Sequence, residues 1–260
     1  MGPKTSGAEM PFLDHLEELR WRILWSIMAL LGGMIVAFLL VTRVDVIGFL
    51  QAPILPYLQG KKLVYTHPGE SFGIVMRVSF GVGLVFALPV VIYQVWAFLS
   101  PALYRHEKKV VIPVIGGAVL LFAVGVVVAY QAILPLTLRF LLTFETQSLE
   151  PMITAAQYFG FAITMSLAFG AVFELPIIIL ALTALGLVTP RMLRKFRRYA
   201  FILSMVAGAL ITPGGDLLSL ALLTGPIYLL YEASILLAYV VHRRRENRIA
   251  ADAREREATA

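Results

Sequence analysis

Six apolar runs divide the chain, near 23–42, 78–99, 110–132, 156–187, 199–212 and 217–241, with polar or proline-containing segments between them. A helix needs roughly 20 predominantly apolar residues to cross about 30 Å of hydrocarbon. The second, third and fourth runs reach that length. The pattern predicts an all-α membrane protein with six transmembrane helices. Pro89 and Pro176 sit inside the second and fourth runs and predict kinks there. The fifth run is different. Only 14 residues separate Arg198 from Pro213, roughly 21 Å of helix at about 1.5 Å per residue. The sixth starts after Asp216, contains Pro226 and meets Glu232 after about fifteen residues. Both are expected to be short spans that thin the bilayer, unless snorkelling flanks such as Arg197 and Arg198 absorb the mismatch.

Two connections are too long for simple turns. Residues 43–72 hold Pro53, Pro56 and the apolar pieces Ile47-Gly48-Phe49-Leu50 and Ile54-Leu55. Residues 133–155 hold Pro135, then Leu138, Phe140, Leu141, Leu142 and Phe144. Both read as short amphipathic helices capping the outer face. No repeat relates the two halves. Residues 1–242 are therefore expected to form a single six-span domain, followed by a charged, alanine-rich cytoplasmic tail over 243–260 that extends as a helix.

Charge gives the direction of the spans. Seventeen of the 22 lysines and arginines fall on one side. They are Lys4, Arg20 and Arg22; Arg105, Lys108 and Lys109; Arg191, Arg194, Lys195, Arg197 and Arg198; and Arg243, Arg244, Arg245, Arg248, Arg254 and Arg256. The other side holds Arg43, Lys61, Lys62, Arg77 and Arg139. Basic residues accumulate on the cytoplasmic side, so both termini are expected to be cytoplasmic. The net charge of +6 belongs to residues beside span ends, where they meet anionic lipid rather than nucleic acid. A chain that is 59% hydrophobic and 15% charged, with mean hydropathy +0.83, cannot hide its apolar surface in a soluble domain of 260 residues. No cysteine is present, which removes disulfides, thiolate metal sites and a thiol switch.

Enzymatic signatures are missing. Gly60-Lys61-Lys62 lacks the upstream Gly and the following Ser or Thr of a phosphate loop, and His106-Glu107 has no second His one turn later for zinc. All four histidines lie outside the apolar runs, so an intramembrane Ser–His dyad is not supported. No catalytic residue, metal or cofactor is expected. The acids are more informative. Glu174 lies well inside the fourth run, where a carboxyl group costs several kcal/mol unless it faces protein or water or is protonated. It is either a protonated group hydrogen-bonded within the bundle or a polar contact for a substrate or partner helix. Glu232, closer to the boundary at His242, has a weaker claim.

Near the N-terminus, Phe12, Leu16, Leu19 and Ile23 form one apolar helical stripe, and His15, Glu18 and Arg22 share a neighbouring face. Glu18 and Arg22 are spaced i,i+4, an arrangement worth about 0.3–0.5 kcal/mol to a helix by itself. The connection Pro101-Ala102-Leu103-Tyr104-Arg105-His106-Glu107 carries one acid in a basic neighbourhood. An isolated acid there makes sense if a cationic ligand must find one place on a surface that otherwise repels it.

These residues carry a resemblance. The chain is similar to the TatC family, the multi-spanning receptor subunit of the twin-arginine protein translocase, over roughly residues 10–242. The matching stretches are His15-Leu16-Glu17-Glu18-Leu19-Arg20, then Tyr93-Gln94-Val95-Trp96-Ala97-Phe98 leading into Pro101-Ala102-Leu103-Tyr104-Arg105-His106-Glu107. Phe169-Gly170-Ala171-Val172-Phe173-Glu174-Leu175-Pro176 and Thr212-Pro213 with Asp216 extend the match. One departure occurs at Pro213-Gly214-Gly215-Asp216, where the family often places the acid directly after two prolines.

The resemblance implies a protein that binds signal peptides bearing two consecutive arginines and presents folded cargo for export driven by the proton-motive force. The family's recognition acids map onto Glu18 and Glu107, with His15, Arg20 and Arg22 beside them. Arg20 and Arg22 would hold or balance Glu18. The apolar part of the signal would lie near Glu174. Single-span TatA/TatB-type subunits would dock on the fifth and sixth spans, where Thr212, Asp216 and Glu232 offer polar contacts, in a multimeric receptor complex. Ser204 and Gly208, four apart, permit close helix approach, either to such a partner or within the chain. The other reading left open is a proton-coupled secondary transporter of small solutes, which also uses intramembrane acids and proline-broken spans.

Overall fold

A computed structural model describes residues 10–58, 60–99, 108–143, 152–212 and 217–259. Among these, ten α-helices and no strand are found. They are α1 (Met10–Arg43), α2 (Val46–Gln51), α3 (Glu70–Leu99), α4 (Lys108–Val128) and α5 (Leu134–Thr143). The chain continues through α6 (Ala155–Phe173), α7 (Leu175–Leu185), α8 (Pro190–Lys195), α9 (Arg197–Ile211) and α10 (Leu217–Thr259). Five stretches among the described residues are long and apolar enough to cross a membrane: Leu16–Arg43, Glu70–Phe98, Val114–Thr143, Ala155–Ala184 and Leu220–Arg244. Many large apolar side chains on them face outward, such as Ile35, Leu120 and Leu229. Such a surface is stable against lipid and not against water.

The apolar runs correspond to these elements, the fifth short as expected, with two physical corrections. α9 has 15 residues, about 22 Å of rise, and is the one run that falls short of span length. The sixth run, expected to be short, instead gives Leu220–Arg244 with 25 residues. Glu232 does not end it because its carboxylate is neutralised by partners on α9 and α10, described below. The expected second cap is not a detached helix. α5 continues α4 through a π-helical turn, Ala129–Ile133, in which the Leu134 N–H bonds the Ala129 carbonyl five residues back. That widened turn admits Pro135 at the start of α5 without ending the helix. The first cap is present as α2 and a 3-10 turn over Leu55–Tyr57.

The prolines behave differently from one another. Pro176 sits just past Glu174, the residue that ends α6 and starts α7. Pro89 and Pro226 lie inside α3 and α10, which run on past them. α10 also continues through the charged tail to Thr259.

The chain divides into two compact units. The first takes in Met1–Ile47 and Val75–Val119. Here α1 crosses α3 at a pair of glycines: a Cβ on Gly33 would meet the Gly83 carbonyl oxygen at 2.5 Å, and one on Gly83 would meet Met34 Cα at 2.6 Å. Backbone-to-backbone approach of this kind is how helices associate where lipid removes the hydrophobic drive.

The second unit takes in Gly48–Ile74 and Leu120–Ala260. α10 packs chiefly on α7 and α9, around a buried cluster of Ile179, Leu193, Ile235 and Ala238. Phe122 packs over Gly170, and Phe169 and Phe173 lie over Gly125, which draws α6 close to α4. Gly186 adopts φ +78° and closes α7, with its N–H bonding the Leu182 and Thr183 carbonyls. α2 is tied down by aromatic hydroxyls: Tyr130 donates to the Phe49 carbonyl, and Tyr158 donates to that of Leu50 at 2.6 Å.

Candidate functional site

Glu18 lies on the first turns of α1, with its side chain 34% exposed. Arg22, one turn on, donates to Glu18 Oε1 from Nε at 3.1 Å and also from Nη2. Its Nη1 donates to Gln94 Oε1 on α3 at 3.4 Å. The i,i+4 spacing therefore does more than stabilise a helix, since it links α1 to the Tyr93–Phe98 stretch of α3 within the first unit. Arg20 faces outward. His15 lies on α1 with its side chain outside the described residues, and Glu107 lies outside them altogether.

Glu174 occupies the junction between α6 and α7. Its backbone serves both helices: its N–H donates to Ala171 O at 3.1 Å, and its carbonyl accepts from Ile178 N at 3.0 Å. The side chain is another matter, because Oε1 is buried with no hydrogen-bond partner among the described residues. An oxygen in that condition costs about 1–3 kcal/mol.

Glu232 is fully engaged. Oε2 accepts from Arg197 Nη2 at 2.6 Å and Oε1 from the Tyr228 hydroxyl at 2.9 Å. One of the two arginines expected to snorkel is thus pinned to α10. The other, Arg198, lies over the Tyr199 ring at 4.8 Å and donates to its hydroxyl. Thr212 caps α9, its hydroxyl donating to Gly208 O at 2.7 Å. Ser204 donates to Ala200 O at 2.8 Å. Gly208 faces α10, where an added Cβ would come within 3.2 Å of Leu220 and Thr224, so its small size serves packing inside the chain. Asp216 lies outside the described residues.

Sequence reasoning passed over Glu70, at the first turn of α3. Its Oε2 accepts from Thr66 N at 2.7 Å and Thr66 Oγ1 at 2.9 Å, and its Oε1 accepts from Ala156 N at 3.1 Å. Ala156 is in the first turn of α6, so this acid satisfies one of the orphan N–H groups at that helix start. Thr154 satisfies another by accepting from Gln157 N. The sequence did carry a signal, an acid following Pro68-Gly69 at a helix start, but its partner lies 86 residues away. Among the described residues no cluster of His, Cys, Asp and Glu suited to a metal is found.

Comparison with known proteins gives a consistent answer. The family model for TatC, the Sec-independent protein translocase protein, matches residues 14–226. The Sec-independent protein translocase protein TatC of Aquifex aeolicus is 40% identical over 239 residues, covering 91% of this chain and 98% of that protein. TatCy of Bacillus subtilis is 35% identical over 251 residues, with 94% of each covered. TatC of Escherichia coli K12 is 36% identical over 228 residues, with 86% of each covered. A crystal structure of the twin-arginine translocase receptor TatC superposes with TM-score 0.80 at 39% identity, covering 87% of this chain and 99% of that one. With five apolar spans and relatives that match along most of its length, this is a multi-pass membrane protein, and it belongs to the TatC family of Sec-independent protein translocase proteins.

Proposed function

We propose that this chain is the receptor subunit of a twin-arginine translocase, and that Glu18 and Glu107 together bind the arginine pair of a signal peptide. The observation that carries this reading is the Glu18–Arg22–Gln94 chain. It holds an acid that is 34% exposed in a fixed orientation at one end of an apolar helix. Two guanidinium forks call for two carboxylates set apart, because a planar fork accepts bidentate pairing that lysine cannot reproduce. Family membership and a solved relative described as a twin-arginine translocase receptor support the same assignment. A solute transporter gains nothing from the comparisons, since the matched relatives are translocase proteins.

In this reading the six-span topology includes the short α9, both termini are cytoplasmic, and residues 1–242 act as one transmembrane domain with 243–260 as a cytoplasmic tail. The segment around α2 then caps the outer face. Glu174 meets the apolar part of the signal or a partner helix. Single-span TatA/TatB-type subunits dock near α9 and α10, where Thr212 and Asp216 lie between the two in sequence and the Arg197–Glu232 pair holds the opposite end in register. His15 and Arg20 flank the recognition acid, and Arg22 orients it.

The test is site-specific crosslinking of a twin-arginine signal peptide to the full chain in lipid nanodiscs. Glu18→Ala and Glu107→Ala are each expected to lose the crosslink, and a twin-lysine signal to lose it with the unaltered protein. Undiminished crosslinking in both variants overturns the assignment.

A further inference from the structure

A second polar site lies within the second unit, between α8 and α10. It is a pocket of about 360 Å³ whose walls include Thr189, Arg191, Arg194, Tyr239, His242 and Glu246. Its volume falls at the lower end of the ~300–1,000 Å³ typical of small-molecule sites. Neither Arg191 nor Arg194 makes a hydrogen bond or ion pair among the described residues. Arg194 is instead held over the Tyr239 ring at 5.0 Å, a contact that uses the face of the cation and none of its N–H donors. His242 Nε2 approaches Glu246 Oε1 at 3.3 Å, while His242 Nδ1 is buried with no hydrogen-bond partner among the described residues. The walls therefore present two arginines with donors to spare, a buried ring nitrogen and a carboxylate that is 66% exposed.

Position narrows the ligand. The apolar part of α10 ends at Arg244, so His242 and Glu246 straddle the edge of the span. Toward the membrane from that edge, Leu229, Leu236 and Val240 form an exposed apolar strip at helical spacing, 67%, 69% and 52% accessible, on the face of α10 about 100° round from Tyr239, His242 and Glu246. Leu187, two residues before Thr189, is 67% accessible. A ligand that fits both parts has a charged head and apolar tails.

We propose that this pocket binds one aminophospholipid. Its phosphodiester bridges Arg191 and Arg194, its ammonium faces Glu246, and its acyl chains lie along the Leu229–Leu236–Val240 strip. Arginine matches a phosphodiester by bidentate hydrogen bonding. Glu246 sets the head group: a carboxylate in the wall repels a second anion and attracts a primary ammonium, so a zwitterion is favoured over a purely anionic lipid. Bound there, the lipid fastens the start of α8 to the emerging end of α10, independently of the signal-peptide reading above.

The test is native mass spectrometry of the full chain in mild detergent, titrated with phosphatidylethanolamine, phosphatidylcholine and phosphatidylglycerol of matched chains. Inorganic phosphate and free phosphoethanolamine serve as soluble competitors. Phosphatidylethanolamine is expected to be retained best. Arg191→Ala with Arg194→Ala is expected to lower its retention by about tenfold, the equivalent of one charge-assisted hydrogen bond. Glu246→Gln, at an exposed position that leaves folding intact, is expected to remove the preference over phosphatidylglycerol by lowering phosphatidylethanolamine retention and raising that of phosphatidylglycerol. Equal retention of all three lipids by the unaltered protein overturns the proposal. So does full displacement of lipid by equimolar inorganic phosphate or phosphoethanolamine, or a Glu246→Gln protein with the original preference. Should the double arginine variant unfold, the Glu246→Gln comparison decides alone.

Discussion

Replacing Gly83 by alanine is expected to damage both stability and signal binding, whereas the same change at Gly32 does neither. The Cβ introduced at position 83 would sit 2.6 Å from Met34 Cα, 2.7 Å from Met34 N and 2.9 Å from Gly33 C. Ordinary contact begins near 3.4 Å, so α1 must retreat from α3 by about 0.8 Å. The obstructing atoms are backbone, so no side chain can rotate away. Overpacking costs about 1–3 kcal/mol, and the upper half of that range applies here. Alanine returns about 0.5–1 kcal/mol of helix propensity, leaving a net loss of roughly 2 kcal/mol. Gly32, one residue along α1, has nothing within 4 Å of its added Cβ, and its alanine variant is expected to be neutral or slightly more stable. The functional consequence follows from register. Arg22 and Gln94 lie about three turns from the crossing on their respective helices, and their hydrogen bond is already 3.4 Å long. A retreat of α1 breaks it and frees Arg22 to turn Glu18, which should weaken signal-peptide binding about fivefold for about 1 kcal/mol lost. The assay is thermal unfolding in detergent alongside titration of a labelled twin-arginine peptide, with Gly32→Ala as the matched control. A Gly83→Ala protein as stable and as competent as the unaltered chain, or a Gly32→Ala protein equally damaged, would refute the reasoning.

Three further outcomes follow from named contacts. Glu70→Gln retains only one carbonyl acceptor where two carboxylate oxygens now accept from Thr66 and Ala156; amide hydrogen exchange should quicken in peptides covering 62–72 and 152–160, and unchanged protection in both would show that the acid is dispensable there. A double-mutant cycle of Arg197→Ala and Glu232→Ala should yield a coupling of about 1 kcal/mol in thermal unfolding, because the pair links α9 to α10 and Glu232 is also held by Tyr228; a coupling near zero contradicts this. Glu174→Ala should keep the crosslink to the arginine pair but lose crosslinks to the apolar part of the signal and to single-span partners. If both of the latter persist, Glu174 serves only the junction of α6 and α7.

The membrane-spanning character was legible because lipid-facing helices display their apolar side chains along the whole run, and a sum over twenty residues is insensitive to detail. The short fifth run, the junction at Pro176 and the pairing of Glu18 with Arg22 were equally readable, since each is local. Errors arose where one residue was allowed to end an element. Pro135 did not break α4 from α5, because a π-helical turn precedes it. Glu232 did not shorten α10, because Arg197, 35 residues earlier in the chain, neutralises it. Glu70 and the pocket between α8 and α10 were missed for the same reason: their meaning lies in partners that only the fold brings close. Periodicity reports on a helix face, and it is silent on what another helix presents to that face.

That distinction separates the acids by role. Glu18, Glu70 and Glu232 all lie on or at the ends of apolar helices, and each is held by donors from its own chain. Glu174 is the contrast: it sits where α6 gives way to α7, and its Oε1 is buried without a donor among the described residues. A polar group in a membrane-embedded bundle is expensive when left unsatisfied, and the same chain satisfies comparable groups elsewhere with arginine, threonine, tyrosine or backbone N–H. The junction is also the one place in the fourth span where backbone continuity already yields, with Pro176 supplying no N–H. A break in the helix and an acid lacking a donor at the same point make this the position at which an incoming helix or signal would gain most by supplying one.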